Sequence, residues 1–67
     1  MNIYEATRLA ALTHMSITQR FDGQVVFKIT PTNDAMLCAI SNPDGSNPTR
    51  GWQPCLDDLL SEEWEVV

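Results

Sequence analysis

Two aromatic side chains and two arginines form the group in this sequence that is best suited to bind a ligand. Arg20 precedes Phe21 directly, and Arg50 lies two positions before Trp52. An aromatic face stacks on a nucleobase, which contributes roughly 1–3 kcal/mol per base, and a guanidinium makes forked hydrogen bonds to phosphate oxygens. Short polar side chains supply contacts to ribose or base. The predicted ligand-binding residues are Arg20, Phe21, Asn33, Arg50, Trp52 and Asp58.

Several of these residues also have a structural interpretation. In a chain of 67 residues, Trp52 and Trp64 are typical of a core or an interface, and Trp64 fits the core better than a ligand contact. Asp58 fits the start of a short helix equally well, because acidic side chains are favoured in a first turn.

No combination of side chains predicts catalysis or metal binding. The single histidine, His14, falls at the end of a predicted helix, where an imidazolium interacts favourably with the helix dipole. Cys55 has no partner base nearby in sequence, so a packed thiol is predicted. One histidine and the separated Cys38 and Cys55 supply no closely spaced pair of metal ligands. The sequence therefore predicts a non-enzymatic protein with no metal and no cofactor.

The elements that position these residues begin with a helix over residues 2–13. Asn2 and Glu5 have the spacing of a capping box. The apolar spacing predicts a stripe that packs on a sheet. Its predicted members are Ile3, Ala6, Ala10 and Thr13, flanked by Leu9 and Leu12.

An antiparallel sheet is predicted to follow the helix. Residues 16–21 and 24–30 read as two strands joined at Asp22-Gly23, a strong hairpin signal, and Pro31 ends the second strand. The rest reads as strand 35–41, loop 42–49, strand 50–53, a short helix at 57–61 and strand 64–67. The predicted fold is α+β, a helix packed on about four or five antiparallel strands, with a short helix before the last.

Length and charge set further limits. Sixty-seven residues predict one domain, over residues 1–67, that is marginally stable alone and gains stability by self-association. The net charge of −5, with Arg8, Arg20, Lys28 and Arg50 scattered in sequence, argues against binding long nucleic acids. Without a leader segment or an apolar stretch of about 20 residues, a cytoplasmic protein with reduced thiols is expected, with no membrane partner.

The tail carries a resemblance to a known family. Residues 50–54, 58–60 and 63–67 resemble the closing pattern of the type two Thoeris anti-defence proteins of phages and prophages, Trp-x-Pro-Ser-x-x-Asp-Leu-Leu-Ala-x-Asp-Trp-Glu-Val-Val. Residues 2–7 and 28–33 are similar to other segments of the family, so the resemblance spans nearly the whole chain. Three departures are Cys55 for the usual Ser, Phe21 for the usual Trp, and a short loop at 42–49.

The resemblance implies a cytoplasmic sponge, in the host cell if the protein is phage-encoded. Such proteins bind a cyclic ADP-ribose-type or related cyclic nucleotide immune signal and hold it without cleaving it. They are homotetramers with ligand pockets between protomers, so a homo-oligomer is expected here, with a tetramer favoured over a dimer. Relatives described as anti-CRISPR proteins leave a second hypothesis open, an acidic inhibitor that docks on a nucleic-acid-binding defence enzyme.

Overall fold

A computed structural model of the chain describes residues 1–33 and 38–67. Its first helix, α1 (Ile3–Thr13), begins at Asn2, whose side-chain oxygen accepts the Glu5 N–H at 2.8 Å. The Glu5 carboxylate accepts the Asn2 N–H in return at 3.2 Å, which completes the predicted capping box. The helix ends at His14, which adopts the left-handed conformation with φ 57°.

The predicted hairpin is confirmed. Strand β1 (Ile17–Phe21) pairs with β2 (Gln24–Val25) so that Phe21 faces Gln24. Asp22 and Gly23 form the turn between them with φ values of 52° and 76°. Positive φ at both central residues gives the turn the twist that suits a two-residue hairpin.

The single strand predicted over residues 24–30 is wrong in detail, because the structure divides it. Strand β3 (Lys28–Thr30) follows β2 after a break at Val26 and Phe27. The register also shifts, since Arg20 pairs with Val25 whereas Ile17 pairs with Ile29. The extra residue bulges away from β1, and the Thr18 hydroxyl donates to the Phe27 carbonyl there at 2.6 Å.

The remaining elements lie within one or two residues of their predicted bounds. Residues 35–37 of the predicted strand 35–41 lie outside the described residues, and the segments at 50–53 and 57–61 begin one residue earlier than predicted. The elements are β4 (Cys38–Ser41), β5 (Thr49–Trp52), α2 (Leu56–Leu60) and β6 (Trp64–Val66).

Together the strands form one antiparallel sheet. From edge to edge the order is β6, β1, then β2 and β3 in line, then β4 and β5, because Ile17 of β1 pairs with Ile29 on one side and with Val66 on the other. The chain is thus α+β, as predicted, with a short helix before its last strand. Neither helix in the described ranges has the length and apolar character needed to cross a membrane.

One face of the sheet, here called the core face, packs against α1. Its fully buried side chains are Ile17, Ile29 and Trp64, which meet Ala6 and Ala10 of the helix. The opposite face, called the outer face, carries the alternate residues of each strand. The predicted apolar stripe is correct at its centre and wrong at its edges, because Thr13 is exposed and Leu9 and Leu12 keep 43% and 73% of their surface in solvent.

Candidate functional site

The structure separates the predicted aromatic residues from the predicted arginines. Phe21 lies in β1 two positions after Gln19, which is paired with Trp64, so Phe21 belongs to the core face. Arg20, its neighbour, points to the outer face. Trp52 is paired with Cys38 on the core face, while Arg50 is paired with Ala39 on the outer face. One protomer therefore presents the predicted rings, Phe21 and Trp52, and the predicted arginines, Arg20 and Arg50, on opposite sides of the sheet.

A bulge in β5 causes the separation of Arg50 from Trp52. Residues two apart in a regular strand share a face, but Gly51 is an extra residue, because Arg50 faces Ala39 and Trp52 faces the adjacent Cys38. Gly51 has φ 91°, which is the positive range that glycine accepts most readily. The bulge thus directs the indole to the core and leaves the guanidinium outside.

The outer face gathers three of the four basic side chains, although they are scattered in sequence. Lys28 is next to the buried Ile29 in β3 and therefore lies on this face with Arg20 and Arg50. Lys28 was not among the predicted site residues. Its position between Phe27 and Ile29, two apolar residues of the predicted strand 24–30, was the signal that would have placed it on the solvent side.

Arg20 is already engaged within the protein. Its Nε donates to a Glu65 carboxylate oxygen at 2.9 Å, and its Nη1 donates to the Gly23 carbonyl at 3.2 Å. The two charged side chains remain 46% and 38% exposed, so solvent screens the ion pair and its contribution to stability is small. A phosphate at Arg20 would have to displace the Glu65 carboxylate.

Asp58 forms the attachment of α2 to the sheet. Its two carboxylate oxygens accept the Gln19 side-chain amide at 3.2 Å and the Cys55 N–H at 3.0 Å, and its backbone carbonyl accepts the Trp64 indole N–H at 2.8 Å. The structure thus gives Asp58 contacts that fit its helix-start interpretation. Gln19 was missed by sequence reasoning, because no local pattern marks a partner 39 residues away.

The tryptophan rings join the two edges of the sheet. Trp52 on β5 meets Trp64 on β6 edge to face, with ring centroids 6.0 Å apart. Neighbouring strands are about 4.8 Å apart, so a flat sheet would separate its edge strands by roughly 19 Å. The sheet therefore curls around the rings. Trp64 is 1% exposed and belongs to the core, as predicted, and Trp52 is half-buried against it.

Phe21 is the most accessible of the predicted aromatic contacts. Its side chain keeps 53% of its surface in solvent. One side of the ring packs against Phe27, with centroids 5.9 Å apart and the planes tilted by 45°. A ring held from one side and open on the other is suited to stacking with a planar ligand.

Asn33 borders a cavity that the other five predicted ligand-binding residues do not line. It is exposed, and it borders a shallow cavity of about 330 Å³ beside α1. The other lining residues are Thr7, Ala11, Pro31, Thr32 and Cys38.

The predictions about metal binding and thiols concern His14, Cys38 and Cys55. Within residues 1–33 and 38–67, no three His, Cys, Asp or Glu side chains lie close enough together to hold a metal ion. Cys55 is exposed at the start of α2, so the predicted packed thiol is wrong there, while Cys38 is half-buried. His14 occupies the helix end, as predicted.

Comparison of the chain with protein-family models, with curated proteins and with solved structures found no match. The family resemblance of the tail therefore stays a prediction.

Proposed function

We propose that this protein is a non-enzymatic binding protein that sequesters a cyclic nucleotide signal in a pocket completed by a second copy of the chain. The observation that carries the proposal is the division of rings and cations between the two faces of the sheet. A nucleotide needs both a stacking surface and a phosphate contact. Two copies bring these together where one copy does not.

The outer face supplies the phosphate contacts. Arg20, Lys28 and Arg50 lie on it, in a chain whose net charge is −5. Arg50 is exposed on the edge strand β5, and Arg20 is paired with Glu65 on the same outer face. We assign phosphate contacts to both arginines, with Lys28 contributing charge around them.

Phe21 supplies the stacking surface. It is the exposed ring among the aromatic candidates, whereas Trp52 packs on Trp64 and Asp58 holds α2 in place. Asn33 provides hydrogen bonds to ribose or base in this proposal. The resemblance of the tail supports a cyclic ADP-ribose-type or cyclic oligonucleotide ligand, and a phage anti-defence role in the cytoplasm.

Calorimetry tests the proposal with a panel of cyclic ADP-ribose isomers and cyclic di- and trinucleotides. We expect one class to bind and to be recovered intact after the protein is denatured by heat, which separates a sponge from a hydrolase. Absence of binding across the panel would contradict the proposal.

Two pairs of variants locate the pocket. Phe21→Ala is expected to weaken binding about tenfold or more, whereas Val26→Ala, which shortens another exposed apolar side chain of 55% exposure, is expected to leave it unchanged. Arg50→Gln is expected to weaken binding more than Lys28→Gln, which removes a cation of the same outer face that only contributes charge around the phosphate. Equal losses in both members of a pair would contradict the assignment.

A second candidate function is favoured by the exposed acids around α2. Asp57, Glu62 and Glu63 are exposed, and no ion pair joins them to a cation within the described residues. They offer a negative surface for a basic, nucleic-acid-binding enzyme. Glu65 is paired with Arg20, so the informative charge reversal is at Asp57, Glu62 and Glu63. Reversing these three charges is expected to abolish inhibition of the basic enzyme and to leave nucleotide binding unchanged. The affinity for that enzyme should also fall steeply as the salt concentration rises.

A further inference from the structure

We infer that the outward side of the two helices is a surface through which two copies of this chain associate. This helix surface consists of six apolar side chains that remain between 43% and 73% exposed. They are Tyr4, Leu9 and Leu12 on α1 and Leu56, Leu59 and Leu60 on α2. The inference does not rest on the proposed function, because it requires no ligand.

Helix α2 is turned opposite to the usual orientation. A surface helix normally directs its apolar side to the core and its polar side to solvent. Here the half-buried Asp58 faces the sheet, held by Gln19, while Leu56, Leu59 and Leu60 face away. None of the residues of α2 is buried within the protomer. These three leucines therefore keep between 50% and 70% of their surface in solvent.

The area of the helix surface is close to that of a protein interface. A specific interface takes about 800 Å² from each partner, which is roughly a sixth of the 4661 Å² that this chain exposes. We take roughly 100 Å² for each partly exposed side chain, which is less than the 150–250 Å² that one aromatic residue can bury. The six side chains then supply about 600 Å² per copy. That is most of a standard interface, and an apolar patch of about 600 Å² lies at the upper end of what a monomer exposes, where such patches are often functional.

The charges on α1 favour a second copy as the occupant. Glu5 and Arg8 lie on the same side of the helix as three members of the helix surface, and the five side chains border one shallow groove of about 350 Å³. In a two-fold interface, residue i of one copy contacts residue j of the other, and j contacts i. Antiparallel α1 helices can thus set Arg8 of each copy against Glu5 of the other.

The expected tetramer would then be a pair of such dimers. Each dimer would be joined through the helix surface and would leave the outer faces of both sheets accessible.

Sedimentation equilibrium over a concentration series tests the inference with the full chain. We expect the wild type to form dimers or multiples of dimers, and Leu12→Glu and Leu60→Glu to raise the dissociation constant at least tenfold. Val26→Glu is the matched control, because it places the same charge at a side chain of 55% exposure between β2 and β3. It is expected to associate like the wild type, and far-UV circular dichroism checks that each variant is folded.

A charge variant provides a second measurement. Arg8→Glu places like charges opposite each other in the proposed pair and is expected to weaken association, whereas Arg8→Gln, which removes the charge without creating a like-charge pair, is expected to weaken it less. A wild type that sediments as a monomer at every concentration, or helix variants that associate normally, would overturn the inference. Nucleotide calorimetry is a separate outcome, because association without ligand binding contradicts only the proposed function.

Discussion

The two helices lie on the same face of the sheet but are held there by different interactions. Helix α1 buries Ala6 and Ala10 completely, so apolar contact with Ile17, Ile29 and Trp64 fixes its position. Helix α2 buries none of its five residues and is attached through the hydrogen bonds of Asp58. A single helical turn is too short to be stable by itself. The comparison shows that a short helix can depend on side-chain hydrogen bonds where a longer one depends on burial.

Trp64 serves both helices, so its replacement is expected to have the largest effect. Trp64→Ala removes a ring that is 1% exposed, and the expected loss is about 3–5 kcal/mol. A domain of this size has a total stability of roughly 3–10 kcal/mol. Chemical denaturation should therefore find the variant largely unfolded.

Trp64→Phe is the matched variant, since it keeps an aromatic ring but cannot donate to the Asp58 carbonyl. We expect it to fold, with faster amide exchange in α2 than in α1. Equal acceleration of amide exchange in α1 and α2 would contradict the conclusion that α2 depends on side-chain hydrogen bonds and α1 on burial.

Asp58→Ala should release α2 and leave α1 in place. It removes the acceptor for the Cys55 N–H and the Gln19 amide, and the expected loss is about 1–3 kcal/mol. Hydrogen exchange should rise at residues 56–60 while residues 3–13 keep their protection. Asp58→Asn keeps one side-chain oxygen, so its exchange rate at residues 56–60 should lie between those of Asp58→Ala and the wild type.

Asn2→Ala tests α1 from its end rather than from its buried side. The variant loses the acceptor for the Glu5 N–H, and the expected destabilisation is about 1 kcal/mol. Because α1 belongs to the core, the global unfolding midpoint should fall, without local opening of α2. Asn2→Asp retains an acceptor and should restore the midpoint, and a failure to do so would exclude capping as the cause.

The smallest effect is expected at Asp44, whose carboxylate lies in the loop between β4 and β5, outside both helices. Hydrogen bonds from the Ser46 side chain and then from the Ser46 N–H, the latter 2.8 Å long, lower the pKa of Asp44. Because the folded pKa is the lower one, its contribution to stability is present above the unfolded pKa of about 3.9. That contribution is lost as the pH falls through the folded pKa.

An NMR titration of Asp44 checks this prediction. Ser46→Ala should raise the Asp44 pKa toward its ordinary value. An unchanged Asp44 pKa in Ser46→Ala would show that the hydrogen bond from the Ser46 side chain does not lower it.

The parts of the fold that were predictable depend on local chemistry. Asn2 and Glu5 specify a helix start, Asp22-Gly23 specifies a two-residue turn, and Pro31 ends a strand, each within a few residues. The break at residues 26 and 27 was not predictable, because it depends on the register between strands. The apolar spacing also did not show that α2 turns its leucines outward.

The composition of the candidate site could be proposed from sequence, but its arrangement could not. Arg50 and Trp52 are two residues apart, and a regular strand would place them together, so only the pairing of Gly51 reveals their separation. Arg20 and Asp58 have the right chemistry for a ligand, yet Glu65 and Gln19, which occupy them, are 45 and 39 residues away.

The contact between Trp52 and Trp64 gives the protein an internal optical reporter. The rings come from opposite edges of the sheet and meet at 6.0 Å, so their excited states couple only while the sheet is curled. Near-ultraviolet circular dichroism should therefore lose the coupled tryptophan signal when the curl opens, even if the strands stay paired. Ligands or partners that open or tighten the sheet would become visible without a label.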